Sequence, residues 1–343
     1  SPGVSIGAAL LENNDQNIRL FLGGDLTEGV VYDLNLAAGI SDCLGNVSTI
    51  VQTLQLGLTQ APEPGDLLLS EILFNPYSGG TDFVELYNVS DKILNLNGIQ
   101  FRNDSITSGD FSGTVAQDVI VFPQQYVAFS EAPVEVLSRY IVPNPVALVA
   151  NDLPSLGDNE GNISVYSANF EPLDALDYTR DWHSSLLSSR DGVSLERLRF
   201  EQPTQNQGNW ASAASVVGFA TPTGPNSQAR ATVAEPTDKF FSIPETTFSP
   251  DDDGFQDVLE IQYTTDQAGY AAQLYIFDAQ GRPINQLFRL ELLAGQGSFL
   301  WDGSTFEGRR ARVGIYVLVA ELFTPAGTTI REKHTIVLAG RLD

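Results

Sequence analysis

The densest run of potential ligands in this 343-residue chain is Ser249 to Glu260, SPDDDGFQDVLE. Asp251, Asp253, Gly254, Asp257 and Glu260 fall at positions 3, 5, 6, 9 and 12 of a calcium-loop pattern. In such a loop, oxygen ligands at alternate positions wrap one hard cation, and glycine permits the sharp bend. Asp251, Asp253, Asp257 and Glu260 are therefore the candidate ligands and Ca²⁺ the candidate cofactor. Position 1 is Ser249 rather than aspartate, and Glu260 stands in an alternating, strand-like run. A solvated acidic turn is the alternative reading.

Three further carboxylates, Glu71, Glu85 and Glu196, stand inside apolar strand-like runs. A carboxylate buried there is costly unless paired, so Arg197 or backbone amides are expected to neutralise them. A general acid/base pair is the catalytic alternative. His183, one of two histidines, follows Asp181-Trp182 and precedes Ser184-Ser185. A nucleophilic triad needs serine, histidine and acid converging in space with an oxyanion hole, which sequence neighbours cannot readily form. A structural histidine is expected. Asp42 and Asn46 could hold a cation, but their spacing suits an Asx-stabilised turn better.

The elements that must position these residues are strands. Apolar residues alternate in short runs, as at Ile18, Leu20 and Leu22, at Leu259, Ile261 and Tyr263, and at Leu274 and Ile276. Period two means half-buried strands. Turn signals such as Gly79-Gly80, Asp253-Gly254 and Gly281-Arg282-Pro283 separate them, and the best helix candidate is short, Pro133 to Arg139. The fold class is all-β, with serial Ig-like β-sandwiches. Two joint-like stretches, Gln60 to Gly65 and Thr221 to Pro236, divide the chain into 1–62, 63–229 and 230–343.

Composition limits the partners. With 18 basic against 43 acidic residues, a net charge of −25 would repel a nucleic-acid backbone. Only three lysines occur, Lys92, Lys239 and Lys333. A single cysteine, Cys43, excludes an intrachain disulfide framework and is read as a small core residue. No apolar run reaches the length that membrane insertion by a helix requires. The chain has no methionine and opens Ser1-Pro2-Gly3, so it is expected to be a fragment whose upstream region is missing.

Several segments resemble known families. Val31 to Leu34 and the turn Ile40 to Asn46 resemble bacterial Ig-like domains of surface-layer type, which implies that 1–62 is a partial domain. The middle segment resembles a lamin-tail domain through Glu71 to Pro76, Asp82 to Asn88 and Leu94 to Gly98. The likeness continues through Val193 to Arg197, Asn209-Trp210, Ala220-Thr221-Pro222 and Asn226-Ser227. From Phe248-Ser249-Pro250 onward, Asp253-Gly254, Asp257, Ile276 to Asp278, Gly281-Arg282, Trp301-Asp302-Gly303 and Gly314-Ile315-Tyr316 resemble flagellar hook-capping Ig-like domains. They also resemble the C-terminal sorting modules of cargo exported by the type IX system of Bacteroidetes. Asp104-Ser105-Ile106-Thr107 resembles the short sequon at which Bacteroidetes O-glycosylate exported proteins, which marks Ser105.

These resemblances imply a non-catalytic, multidomain part of a secreted protein at the extracellular or outer-membrane surface. Its roles would be structural or adhesive, with a type IX sorting module at the end. The expected partners are the type IX export machinery and other cell-surface proteins or glycans. Two alternatives stay open. The region could be accessory to a secreted hydrolase, whether nuclease, phosphoesterase or protease, with its catalytic domain upstream, or it could be a subunit of an outer-membrane surface complex.

Overall fold

The computed structural model describes residues 3–12, 17–39, 41, 44–104, 113–229, 239–251 and 253–340. Its elements are almost all strands, and the fold is all-β. The expected helix forms over Pro133–Arg139, with proline opening the first turn, where its missing N–H is no loss.

Two packed sheets build the 63–229 segment. A six-stranded sheet runs in the order Leu148–Ala150, Tyr126–Ser130, Phe83–Asn88, Leu67–Leu73, Leu195–Arg197, Trp210–Ser212. A four-stranded sheet faces it, in the order Pro172–Thr179, Glu160–Tyr166, Gln100–Arg102, Gly113–Thr114. Leu69, Ile72, Val84, Leu86, Phe129 and Leu195 meet Phe101, Ile163, Val165 and Tyr178 in the core between the sheets. The six-stranded sheet also buries its other face: Leu73, Phe83 and Ala128 pack with Val136 of the helix, Tyr140 and Ala220. Both faces of the central strands are therefore dry, which explains why these runs carry more apolar residues than strict alternation would place there.

A three-stranded sheet over 239–340 joins Phe241–Ser242, Leu259–Thr264 and Gln296–Trp301. Opposite it lies a five-stranded sheet in the order Thr247–Phe248, Thr329–Leu338, Gly314–Phe323, Ala271–Asp278, Pro283–Leu292. The expected alternation is seen at Leu259–Thr264, where every second residue is buried. Thr247–Phe248 pairs in parallel with the end of Thr329–Leu338, the other neighbours in this sheet being antiparallel.

Among the described residues before 57, two separate hairpins form, Ile6–Glu12 with Asn17–Leu22 and Tyr32–Leu36 with Gln52–Leu56. Here the expectation of half-buried strands fails. Ile18 and Leu22 are 53% and 39% exposed, because no second sheet covers them among the described residues. The joint at Gln60 is docked by its backbone, which pairs with Ile93 and Asn95 at 2.8 Å each.

Candidate functional site

Sheet register brings Glu71, Glu85 and Glu196 together. Glu71 lies directly opposite Glu85 on one side and Glu196 on the other, so the three carboxylates line up across three adjacent strands. All three residues are 0% exposed. The cover is a strap, 219–228, whose polar groups point down at them. Glu71 accepts the Thr221 N–H at 2.9 Å and meets the Ser194 and Thr221 hydroxyls. Glu85 accepts the Thr223 N–H at 2.6 Å. Glu196 accepts the Thr221 hydroxyl at 2.8 Å, the Ser227 hydroxyl at 2.8 Å and the Gln228 N–H at 2.9 Å.

Backbone amides thus meet the carboxyl groups, as the sequence suggested, and hydroxyls join them, but Arg197 does not. Adjacent strand residues point to opposite faces, so Arg197 enters the core between the sheets. There it donates to the carbonyls of Leu69 and Gln202 at 3.1 and 2.6 Å and to Asp174 at 3.4 Å. Burial, followed by the Glu196 charge, pushes the Glu71 carboxyl up to about 8. Burial and then Glu71 hold Glu85 well above the ordinary carboxylate range. Burial also raises Glu196, opposed by its donors Ser227, Thr221 and Gln228. The composition of 221–228 reads as a linker. What the sequence could have shown is that threonine and serine supply donors for three glutamates.

The acidic loop also assembles, without its last member. Carboxylate oxygens of Asp251, Asp253 and Asp257 lie within 4.8 Å of one another. Glu260 is not among them, since it sits exposed on Leu259–Thr264, opposite Leu300. Backbone amides already engage the loop. Gly254 N–H donates to Asp257 at 2.8 Å and Phe255 N–H to Asp253 at 2.8 Å, with Gly254 turning at φ 87°. Asp251 Oδ1 is buried without a hydrogen-bond partner.

His183 is 5% exposed and its Nδ1 lies 2.9 Å from the Ser212 hydroxyl, 29 residues along the chain, not from Ser184. Ser212 also accepts the Ser184 N–H at 2.9 Å. His183 Nε2 meets no partner, so no acid completes a triad at that nitrogen. Burial, then Arg190 and Arg180, bring the imidazole down to about 4. Ser105, Asp42 and Cys43 lie outside the described residues, as do Asp252 and the later part of the second joint, 230–236. On the outer face of the five-stranded sheet, a groove of about 600 Å³ has Tyr275, Phe277, Val317 and Val319 along it and Arg331 and Lys333 beside them.

No family model matches the chain. No curated protein matches it either. Among solved structures it is similar to FlgD from P. aeruginosa, at 19% identity over 29% of this chain and 69% of that one, with a TM-score of 0.22. It is similar to PorU from Porphyromonas gingivalis at 10% identity over 80% of this chain and 20% of that one, TM-score 0.23. PorZ from the same organism, described as an essential bacterial surface component of the type-IX secretion system, matches at 12% identity over 97% of this chain, TM-score 0.22. The chain spans one fifth of PorU and 45% of PorZ. Among the described residues no helix is long and apolar enough to cross a membrane.

Proposed function

We propose that this chain is a non-catalytic region of a secreted bacterial cell-surface protein, divided at 1–62, 63–229 and 230–343. Its sandwiches space or display neighbouring parts, and 230–343 is the address for type IX export. The reading is supported by what the resembling motif residues of the last segment do. Phe248 and Tyr316 flank Trp301 at 5.3 and 5.5 Å between ring centres. Gly303, at φ 79°, sits where a Cβ would come within 3.1 Å of Leu338 and Pro250. Asp278 is bound by Arg282 at 2.6 Å across the Gly281 turn. These residues lie together at one end of the sandwich. The aromatic groove beside Arg331 and Lys333 is the face on which surface proteins or glycans would be sought.

Fused behind a secreted reporter in a bacterium with type IX machinery, 230–343 is expected to carry the reporter to the cell surface. Deleting the segment, or the machinery, should leave the reporter in the periplasm. Equal surface display without the segment would sink the proposal.

In the same reading Asp251, Asp253 and Asp257 take a calcium ion from the surroundings, with Glu260 too far along its strand to join. Three carboxylates at this spacing repel one another, and a divalent ion bound only by the folded chain removes that repulsion. Millimolar CaCl₂ is expected to raise the melting temperature of the last segment within the full chain by a few degrees. NaCl at matched ionic strength should not do so, and Asp253→Ala should abolish the gain. Equal melting in both salts would show a merely screened turn.

A further inference from the structure

The Thr221 hydroxyl lies between two carboxyl groups, 3.2 Å from Glu71 Oε2 and 2.8 Å from Glu196 Oε1. A hydroxyl has one hydrogen to donate and lone pairs that accept. It satisfies one carboxylate, and the second contact is a hydrogen bond only when that carboxyl brings its own proton. Ser194 Oγ and the Thr221 N–H both donate to Glu71 Oε1, which leaves Oε2, facing the Thr221 hydroxyl, to carry the proton. Glu196 has donors on both oxygens, Thr221 on one and Ser227 with Gln228 on the other, so it is the anion. Glu85 accepts the Thr223 N–H on Oε2, with the Ser70 hydroxyl nearby, and its buried Oε1 has no hydrogen-bond partner. That bare oxygen fits a protonated acid and not a carboxylate stripped of water.

We propose that Glu71 and Glu85 form a proton-binding site that clasps the 219–228 strap onto the sheet and, through the strap, holds the contact with the last sandwich. The strap and the turn before it carry that contact. The Ser227 carbonyl accepts the Gly295 N–H at 2.9 Å, and Gln228 Nε2 donates to the Leu293 carbonyl at 2.8 Å. Ser215 donates to Glu291 at 2.6 Å and accepts the Leu292 N–H at 2.7 Å.

Among the described residues no ion pair joins a cation to any of the three carboxyls. The strap has no ionisable side chain from Phe219 to Gln228, and Arg197 points to the opposite face. The charges acting on Glu71 and Glu85 are those of their fellow glutamates. Tyr126 on the next strand and Tyr140 beyond the helix feel the same carboxylates, and burial first of all keeps both phenols neutral. Losing a proton therefore places a second negative charge in a dry site, and at Glu85 it does so beside an oxygen without a hydrogen-bond partner.

The sign follows from the upward shift. Glu71 keeps its proton in the folded chain up to about 8, against 4.5 when unfolded. Its contribution is full below the lower value and is lost as pH rises through the upper one. His183 works in the opposite sense: brought down from 6.5 to about 4, it removes stability as pH falls through that window.

Hydrogen exchange on the full chain, corrected for intrinsic rates, tests the clasp. Protection of the Thr221, Thr223 and Gln228 amides is expected to fall at least about tenfold between pH 6 and pH 9. The Gly295 amide, bonded to the strap, should lose protection with them. In the double variant Glu71→Gln, Glu85→Gln, which keeps the shape and fixes the neutral form, protection should be equal at the two pH values. Unchanged protection in the parent chain overturns the proposal, as does a loss that persists in the double variant. Even with the parent chain alone, strap opening that leaves Gly295 protected refutes the coupling to the last sandwich.

Discussion

Arg197→Ala is expected to destabilise the 63–229 segment by about 3–5 kcal/mol, the range for removing one partner of a buried ion pair. At 1% exposure, the guanidinium is among the largest fully buried side chains. It ties the six-stranded sheet, through the Leu69 carbonyl, to Asp174 of the four-stranded sheet and to the Gln202 carbonyl of the following loop. Asp174 also accepts the Leu69 N–H at 2.8 Å, and burial raises its carboxyl even with these partners. Alanine would take this donor from the Leu69 and Gln202 carbonyls and the cation from Asp174 inside the core. Arg197→Lys restores a charge but not the planar fork, so most of the loss should remain. Denaturant unfolding followed at the transition of this segment measures both. A cost below about 1 kcal/mol for alanine would mean that water replaces the guanidinium and that the site is wetter than its burial indicates.

Trp301→Ala should cost the last segment about as much, roughly 3–5 kcal/mol for a buried aromatic truncated to a methyl group. The indole is 1% exposed, packs against Phe248 and Tyr316, and donates from Nε1 to the Ser304 carbonyl at 2.9 Å. Trp301→Phe retains the ring contacts and loses the N–H, so it should fall well below alanine. Because Arg197 and Trp301 share no partner, the double variant should be additive to within about 0.5 kcal/mol. A shift of the 63–229 transition by Trp301→Ala alone would show that the two sandwiches unfold as one body. That result would contradict the proposed division at 230.

Local pattern made much of this legible. The alternation at Leu259, Ile261 and Tyr263 and the helix Pro133–Arg139 depend on neighbours a few residues apart, and both form as read. The aspartates of the acidic loop meet because they are close in sequence. Glu260, read into the same loop by counting positions, follows its strand instead, where alternation sets its direction. The glutamate trio needed more than local pattern. Each member looked like an isolated charge in an apolar run, and only the register of three strands distant in sequence puts them side by side. The same holds for Arg197, whose adjacency to Glu196 in sequence suggested a pairing that opposite strand faces forbid. The composition of 221–228 misled in a different way, since proline, glycine and threonine mark a free linker and a hydrogen-bonding strap equally well.

The parallel pairing of Thr247–Phe248 with the end of Thr329–Leu338 has a mechanical consequence. One strand lies near the beginning of the last sandwich and the other near its end. Tension applied through residues 239 and 340 would drag the two along their length in opposite directions. The bonds between them, Val337 N–H to the Thr246 carbonyl and Ala339 N–H to the Phe248 carbonyl, both 2.8 Å, would then carry the load together in shear. A hairpin pulled open at its free ends breaks its rungs singly. Tethered at one end and tugged at the other, this sandwich should stay closed until both bonds fail at once.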